Sequence, residues 1–335
     1  MKDLAIIILN WNGKNLLEKF LPFLVKYSSQ ATIYLADNAS TDSSISYVET
    51  EFPTVKIIKN TENFGYAKGY NQALKQVNEK YLCLINSDIE VTENWLRPII
   101  ELFESDGKIG LIQPKILDYK NKAKFEYAGA GGGFIDQLGF PFCRGRIFDT
   151  LESDQNQYND TTPIFWASGA CLFIKNEVFK ELNGFDENFF AHQEEIDLCW
   201  RAFNKNIKTY YCGTSTVYHV GGATLDASNP KKTFLNYRNS LIMLYKNLPQ
   251  KGRFSILFKR LCYDGVSGVR LMLQLKPLHC FAIVRSHFAY YAMISKYKNL
   301  QNTQNKSNYY YTKDIVKDYF IDKKKFFNKI SKAND

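Results

Sequence analysis

The 335-residue chain is 45 % hydrophobic and 23 % charged with a formal net charge of +9, enough apolar material for one large domain plus an appendage. Seven cysteines, an odd number with no Cys-x-x-Cys pair, argue against a disulfide framework and a zinc site and fit a reducing cytoplasm. The first strand begins by Leu4 with no basic region, apolar core and cleavage site ahead of it, so no signal peptide is expected.

Residues 4–9 read as a buried strand leaving through Asn10-Trp11-Asn12-Gly13 into an amphipathic helix with Leu16, Leu17, Phe20, Leu21 and Leu24. Residues 32–36 give a second strand, ending in Asp37-Asn38-Ala39-Ser40-Thr41-Asp42. Residues 55–58 give a third, followed by Asn63-Phe64-Gly65-Tyr66-Ala67-Lys68-Gly69-Tyr70-Asn71 and a helix near 67–79. A fourth apolar run, from residue 81, stops at Asn86-Ser87-Asp88. This alternation predicts an α/β fold, a mostly parallel sheet flanked by helices, with every strand exit opening on one edge. Ligands bind at that edge in open α/β sheets, and an acid there suits a hard divalent cation holding phosphate oxygens. Asp88 is therefore a metal candidate, although Asn-Ser-Asp is also good turn and helix-capping chemistry.

Further along, Glu194, Glu195 and Asp197 place three acids in four residues. Such a cluster is costly unless it is solvated, caps a helix or is functional. It falls in the first turn of a predicted helix running toward Lys205, where acids complement the macrodipole. Asp197 and Arg201 lie four apart on one face of that helix and are expected to pair.

In this order the motifs resemble the inverting family 2 glycosyltransferases of the GT-A fold, and within them the bacterial rhamnosyltransferase-type enzymes that build surface polysaccharide. The matching pieces are the four strand exits above, then Trp166-Ala167-Ser168-Gly169-Ala170, Gly184-Phe185-Asp186-Glu187, Glu194-Glu195-Ile196-Asp197 and Val217-Tyr218-His219-Val220-Gly221-Gly222. The resemblance covers residues 4–222, about two thirds of the chain.

It implies a nucleoside diphosphate sugar (dTDP-rhamnose or a UDP-sugar) bound by Asn10, Asn12, Asp37, Asn38, Asn63, Gly65, Lys68, Asn71, Asn86 and Ser87. Asp37 would accept hydrogen bonds from the base, or else cap the loop that follows it. Gly65 and Gly69 would let backbone approach the nucleotide. Asp88 and His219 would hold Mg²⁺ or Mn²⁺ against the diphosphate, with Asn86 where the usual Asp-x-Asp pattern has its first acid; a structural role is the open alternative for His219. Glu195 is the first choice for the base that deprotonates an acceptor hydroxyl, with Glu194 as rival, since the usual Glu-Asp pair is Glu-Glu here. Trp166, Gly169 and His192 are acceptor-side candidates, with a core place open for Trp166 and a surface place for His192. The run 128–133 lacks a phosphate-loop spacing and is read as a flexible segment near the acceptor, with Arg144 and Arg146 meeting an anionic group. A sugar nucleotidyltransferase is the alternative enzyme, poorly matched by Asn10-Trp11-Asn12-Gly13-Lys14; a non-catalytic nucleotide-sugar-binding protein would lack the acids.

Charge divides the chain. Residues 1–230 carry 22 Lys and Arg against 29 Asp and Glu, whereas residues 231–335 carry 21 against 5. The expected organisation is a catalytic domain over 1–230 (nucleotide-binding half 1–105, acceptor half 106–230), basic amphipathic helices over 231–300 and a polar, partly disordered tail over 301–335. No apolar run of 18 residues interrupts the tail. Its helices fit an anionic membrane surface, on the cytoplasmic face, near a lipid-linked saccharide acceptor; packing on the catalytic domain or a homodimer interface is the open alternative. Tyr237-Arg238-Asn239-Ser240 begins this region and is a candidate for facing the diphosphate. No nucleic-acid motif occurs.

Overall fold

The computed structural model describes residues 2–221, 229–300 and 306–333. Gly222, the last residue of the His219 motif, and residues 301–305 of the tail lie outside them. The elements begin with β1 (Leu4–Asn10), α1 (Lys14–Tyr27), β2 (Thr32–Asp37), α2 (Ser44–Glu51), β3 (Lys56–Lys59), α3 (Gly65–Leu74) and β4 (Tyr81–Asn86). All four strands run parallel, in the order β4-β1-β2-β3. β1 and β4 are apolar almost throughout because helices cover both sheet faces. α1 turns Leu17, Phe20, Leu21 and Leu24 onto one of those faces.

The second half extends the sheet. It adds β5 (Ile89–Val91), α4 (Arg97–Ser105), β6 (Ile109–Asp118), β7 (Gly133–Ile135), β8 (Pro141–Cys143), β9 (Arg146–Ile147), β10 (Thr150–Leu151), β11 (Thr161–Ile164), β12 (Cys171–Lys175), α5 (Asn176–Glu181), α6 (Glu194–Asn204) and β13 (Lys208–His219). β12 enters antiparallel between β4 and β6, and β13 runs parallel to β6. β7 to β10 form a separate small antiparallel sheet.

Three helices follow, α7 (Pro230–Asn247), α8 (Arg253–Leu273) and α9 (Pro277–Met293). The charge boundary near residue 230 is not a boundary of packing. Leu241 to Leu244 of α7 are wholly buried in the same core as Leu82, Leu172 and Trp200. α7 is also tied to α6 by charge: the buried Asp197 carboxylate meets Lys246 Nζ at 3.0 Å, Arg201 Nε at 2.8 Å and Asn247 Nδ2 at 2.8 Å. Burial alone would raise the Asp197 pKa, but Lys246 and Arg201 hold it below the ordinary carboxylate value.

The tail departs from expectation. Residues 306–333 pack rather than trail: Ile315, Tyr319 and Ile330 close a small core with Phe142 and Ile147 of the minor sheet. Tyr309 stacks on Trp200 with ring centroids 4.9 Å apart. The helical segments of the tail are short, Lys317–Ile321 and Phe327–Lys329. The organising group is Asp136, fully buried, whose carboxylate accepts from the backbone N–H groups of Leu138, Phe140 and Ile315. Of the three donors Ile315 N–H comes from the tail, so the same buried group shapes the 136–140 turn and ties the tail to the minor sheet.

Lys246 also contacts Asp186 at 2.7 Å, so its removal strips a cation from two shielded carboxylates at once. Lys246→Met is expected to lower stability by about 3 kcal/mol, read as a shifted urea midpoint with unchanged slope.

Candidate functional site

The parallel registers put three strand ends side by side. Asn10 stands opposite Asp37 and Leu9 opposite Asn86, so all three exits open on one edge. Asn10 and Asp37 are 1 % exposed. The Asp37 carboxylate accepts from Asn10 Nδ2 at 3.0 Å, from the Ser40 hydroxyl, and from Ser40 N–H at 2.9 Å. Asn12 Oδ1 accepts from Thr41 N–H at 2.7 Å, pinning the same loop. Asn38 donates to Gly65 O at 2.9 Å and accepts from Asn60 at 2.7 Å. These side chains form one hydrogen-bonded rim. Trp11 lies beside it with its indole 56 % exposed, a stacking surface that the sequence reading passed over although it sits between two asparagines of the strand exit.

Other nucleotide candidates take different places. Asn63 Oδ1 accepts from Gly65 N–H at 3.0 Å. Gly65 has φ of +72°, and a Cβ there would stand 2.7 Å from the Phe190 ring, so the close approach it permits is that of Phe190. Lys68 lies over the Phe64 ring at 3.9 Å and 3.8 Å from Glu62. Asn71 is spent on the protein: its amide exchanges hydrogen bonds of 2.9 Å with the backbone of Phe185 and donates to Glu187. It braces the 184–187 turn instead of facing the strand edge. Ser87, half-buried, is close to Gly13.

Past Asn86, the Asp88 carboxylate is buried and lies 3.2 Å from His219 Nε2. The other ring nitrogen is 3.3 Å from Glu126, an acid in a weakly patterned segment where no spacing marked it. Burial works against a charged imidazole, yet Asp88 and Glu126 together raise the His219 pKa to about 10. Two carboxylates, an imidazole and the Asn86 amide, 3.5 Å from His219, are the donor types that Mg²⁺ or Mn²⁺ accepts. Among the described residues no three such side chains are disposed around one point, and His219 must lose its proton to ligate. The donor chemistry fits a divalent ion that completes its shell from elsewhere.

The α6 end joins this edge through β12. Asn86 N–H donates to Ala170 O at 3.0 Å, and a Cβ on the neighbouring Gly169 would lie 3.8 Å from Glu195 Cβ. Tyr66 donates to Gly169 O at 2.7 Å. Glu194 is buried and Glu195 half-buried, and each has one carboxylate oxygen without a hydrogen-bond partner among the described residues. Burial first, then the neighbouring Glu195 charge, raises the Glu194 pKa well above the ordinary value. Burial raises that of Glu195 to about 7, against backbone N–H donors that lower it. Burial thus favours the neutral form of both glutamates, which titrate as a pair. Asp197 keeps its charge but is fully engaged by its own partners.

His192 is half-buried, and burial, then Lys232, push its pKa down to about 4. The loop carrying it is clamped from α7, where Asn239 Nδ2 faces the carbonyls of Phe189, Ala191 and His192 at 2.8 to 3.0 Å. Arg238 adds Asn188 O at 2.9 Å. Arg238 and Asn239 of the Tyr237–Ser240 stretch thus shape the 188–192 loop.

Three acceptor-side expectations are corrected. Trp166 is 4 % exposed, its indole N–H donating to Phe134 O at 2.8 Å, so it is a core residue. The glycine run is ordered around it: a Cβ on Gly133 would lie 2.2 Å from that indole. Arg144 and Arg146 are buried, the first on Asp160 at 2.9 Å and between the rings of Tyr158 and Tyr211, the second on Tyr127 O at 3.0 Å. Neither is available to an external anion.

With this geometry in place, known proteins can be compared. Residues 5–182, more than half of the chain, match Glycosyl transferase family 2; the match ends before α6. The chain is 23 % identical over 249 residues to the low-salt glycan biosynthesis hexosyltransferase of Haloferax volcanii, covering 72 % of this chain and 75 % of that protein. It is 23 % identical over 232 residues to N-acetylglucosaminyl-diphospho-decaprenol L-rhamnosyltransferase of Mycobacterium tuberculosis, covering 64 % and 75 %. A mannosyltransferase of Pyrobaculum calidifontis, solved in complex with GDP-Man and Mn²⁺, shares the fold at a TM-score of 0.53 and 13 % identity, over 89 % of this chain and 81 % of that one.

Asn239→Ala leaves three loop carbonyls without their shared donor. It is expected to cost about 2 kcal/mol of stability, with faster proteolytic cleavage within 188–193, measured by urea unfolding and mapped fragments.

Proposed function

The chain belongs to glycosyl transferase family 2 and is a glycosyltransferase of GT-A fold, and from that premise we propose that it transfers a sugar with inversion from a nucleoside diphosphate sugar to a saccharide hydroxyl. The observation that carries this reading is the Glu195 carboxylate. It is half-buried, one of its oxygens has no hydrogen-bond partner among the described residues, and the Cβ that carries it lies beside Gly169, next to the strand edge that bears Asp88.

On this reading the Asn10, Asp37 and Asn38 rim holds the nucleoside, with the Trp11 face available to the base. Asp88 and His219 would hold Mg²⁺ or Mn²⁺, which would supply positive charge against the departing nucleoside diphosphate. Glu195 takes the proton of the acceptor hydroxyl as its oxygen bonds to the anomeric carbon and the bond from that carbon to the diphosphate breaks. Attack comes from the face opposite the leaving group, so configuration inverts in one displacement. Glu194, more deeply buried and with its pKa raised by burial and by the Glu195 charge, is the weaker base candidate. The 188–192 loop, with His192, borders the acceptor side. A dTDP-rhamnose or UDP-sugar donor and a lipid-linked glycan acceptor in surface polysaccharide synthesis are supported by the motifs and by the named relatives.

The test uses purified protein with Mg²⁺ or Mn²⁺ and a panel of dTDP-, UDP- and GDP-sugars, followed by thermal shift and sugar release. One donor is expected to stabilise the protein, and Asp88→Ala to abolish that shift. Absence of a shift with every donor and both metals would contradict the reading.

Glu195→Gln is expected to lower kcat by about 10³-fold, with donor binding retained and a smaller loss in Glu194→Gln. A larger loss in Glu194→Gln would move the base to that residue. Because the active form is the carboxylate and burial raises the Glu195 pKa to about 7, activity is lost as pH falls. The value of kcat/KM should drop about tenfold per unit below that pH and level off above it.

A further inference from the structure

The α8–α9 hairpin carries much apolar surface outward, and α8 does so while turning charged groups inward. The stripe that α8 turns inward contains Arg253, Arg260 and Asp264 beside Leu257 and Gly268. Those polar groups are satisfied: Arg260 pairs with Asp264 at 2.8 Å, and Asp264 also meets His287 of α9 at 3.2 Å. The apolar residues point away, with Phe254 77 %, Phe258 68 % and Leu273 81 % exposed on α8. Leu275 in the connecting turn is 88 % exposed, and Leu278, Phe281 and Phe288 of α9 are between 61 % and 72 % exposed. So many large apolar side chains on one hairpin exceed what a free surface ordinarily shows.

Charge identifies what covers them. Residues 248–300 hold nine Lys and Arg and a single acid, Asp264, which is 1 % exposed. Lys259, Arg270, Lys276 and Arg285 are exposed. A second copy docked through the same face would set cation against cation with no exposed acid to offset them. An anionic bilayer supplies both complements, acyl chains for the leucines and phenylalanines and headgroup phosphates for the cations. Among the described residues no helix is long and apolar enough to cross a membrane.

We propose that the α8–α9 hairpin is a monotopic anchor that lies in the headgroup region of an anionic membrane, inserting the Leu273–Leu275–Leu278 tip and the outward phenylalanines. The proposal stands on the hairpin alone, and its test does not read turnover, so its failure would leave the transfer reaction untouched.

The experiment is flotation of the full chain with vesicles of phosphatidylcholine alone or mixed with phosphatidylglycerol. Binding is expected on the anionic vesicles and at least about tenfold weaker on neutral ones. Leu273→Glu with Leu275→Glu, in open solvent and so harmless to folding, should weaken binding about tenfold or more with the melting temperature unchanged. Lys259→Ser with Lys276→Ser should weaken it only on anionic vesicles. No binding to either vesicle, or binding indifferent to the leucine substitutions, overturns the proposal. Absence of vesicle binding combined with a dimer in light scattering that the leucine substitutions dissolve assigns the face to a second copy instead.

Discussion

The position of the α6 acids depends on one buried carboxylate. Asp197 sits wholly inside the protein, held by Lys246, Arg201 and Asn247, and such a charge is tolerable only while those partners are in place. Two of them belong to α7, so the helix that begins the basic part of the chain is also what fixes the first turn of α6. Glu194 and Glu195 precede Asp197 on that turn and inherit its placement. Their own carboxylates have no comparable cation, which is why burial raises both while Asp197 is lowered. Neighbouring acids on one helix are thus given opposite protonation preferences by what faces them.

A second pair of constraints meets this one from the sheet. Parallel registers align Asn10, Asp37 and Asn86, and the insertion of β12 beside β4 brings Gly169 and Ala170 to the same edge. Gly169 is where the sheet touches Glu195, and Tyr66 closes the contact from α3. The site is therefore built by strands whose order differs from their order in the chain, and both halves are needed to assemble it.

The first half was legible because β1 and β2 are buried almost throughout and so appear as plain apolar runs: those read at 4–9 and 32–36 fold as Leu4–Asn10 and Thr32–Asp37, and the run read at 55–58 folds as the edge strand Lys56–Lys59, whose lysines are exposed. The Asp197–Arg201 pair was equally readable, since four residues on a helix bring side chains together. What was not readable depends on distant partners. The glycines of the 128–133 run suggest freedom, yet each is held close to a neighbour: Gly129 to Ser168, Gly131 to Arg144, Gly132 to Ile164 and Gly133 to Trp166. Arg144 looks like an anion contact until Asp160 and two tyrosine rings enclose it. The polar tail reads as disordered because its order comes from Asp136, nearly two hundred residues earlier. Glu126 carries no local mark, and only the fold brings it to His219.

The account turns on Glu195 facing the reacting carbon from the side opposite the diphosphate. A crystal structure of Glu195→Gln with Mn²⁺ and the donor that gives the thermal shift tests this most directly. The account predicts the diphosphate against Asp88 and the open face of the anomeric carbon toward residue 195, with room between them for one hydroxyl. A donor bound elsewhere, or one whose anomeric carbon faces away from α6, would contradict it.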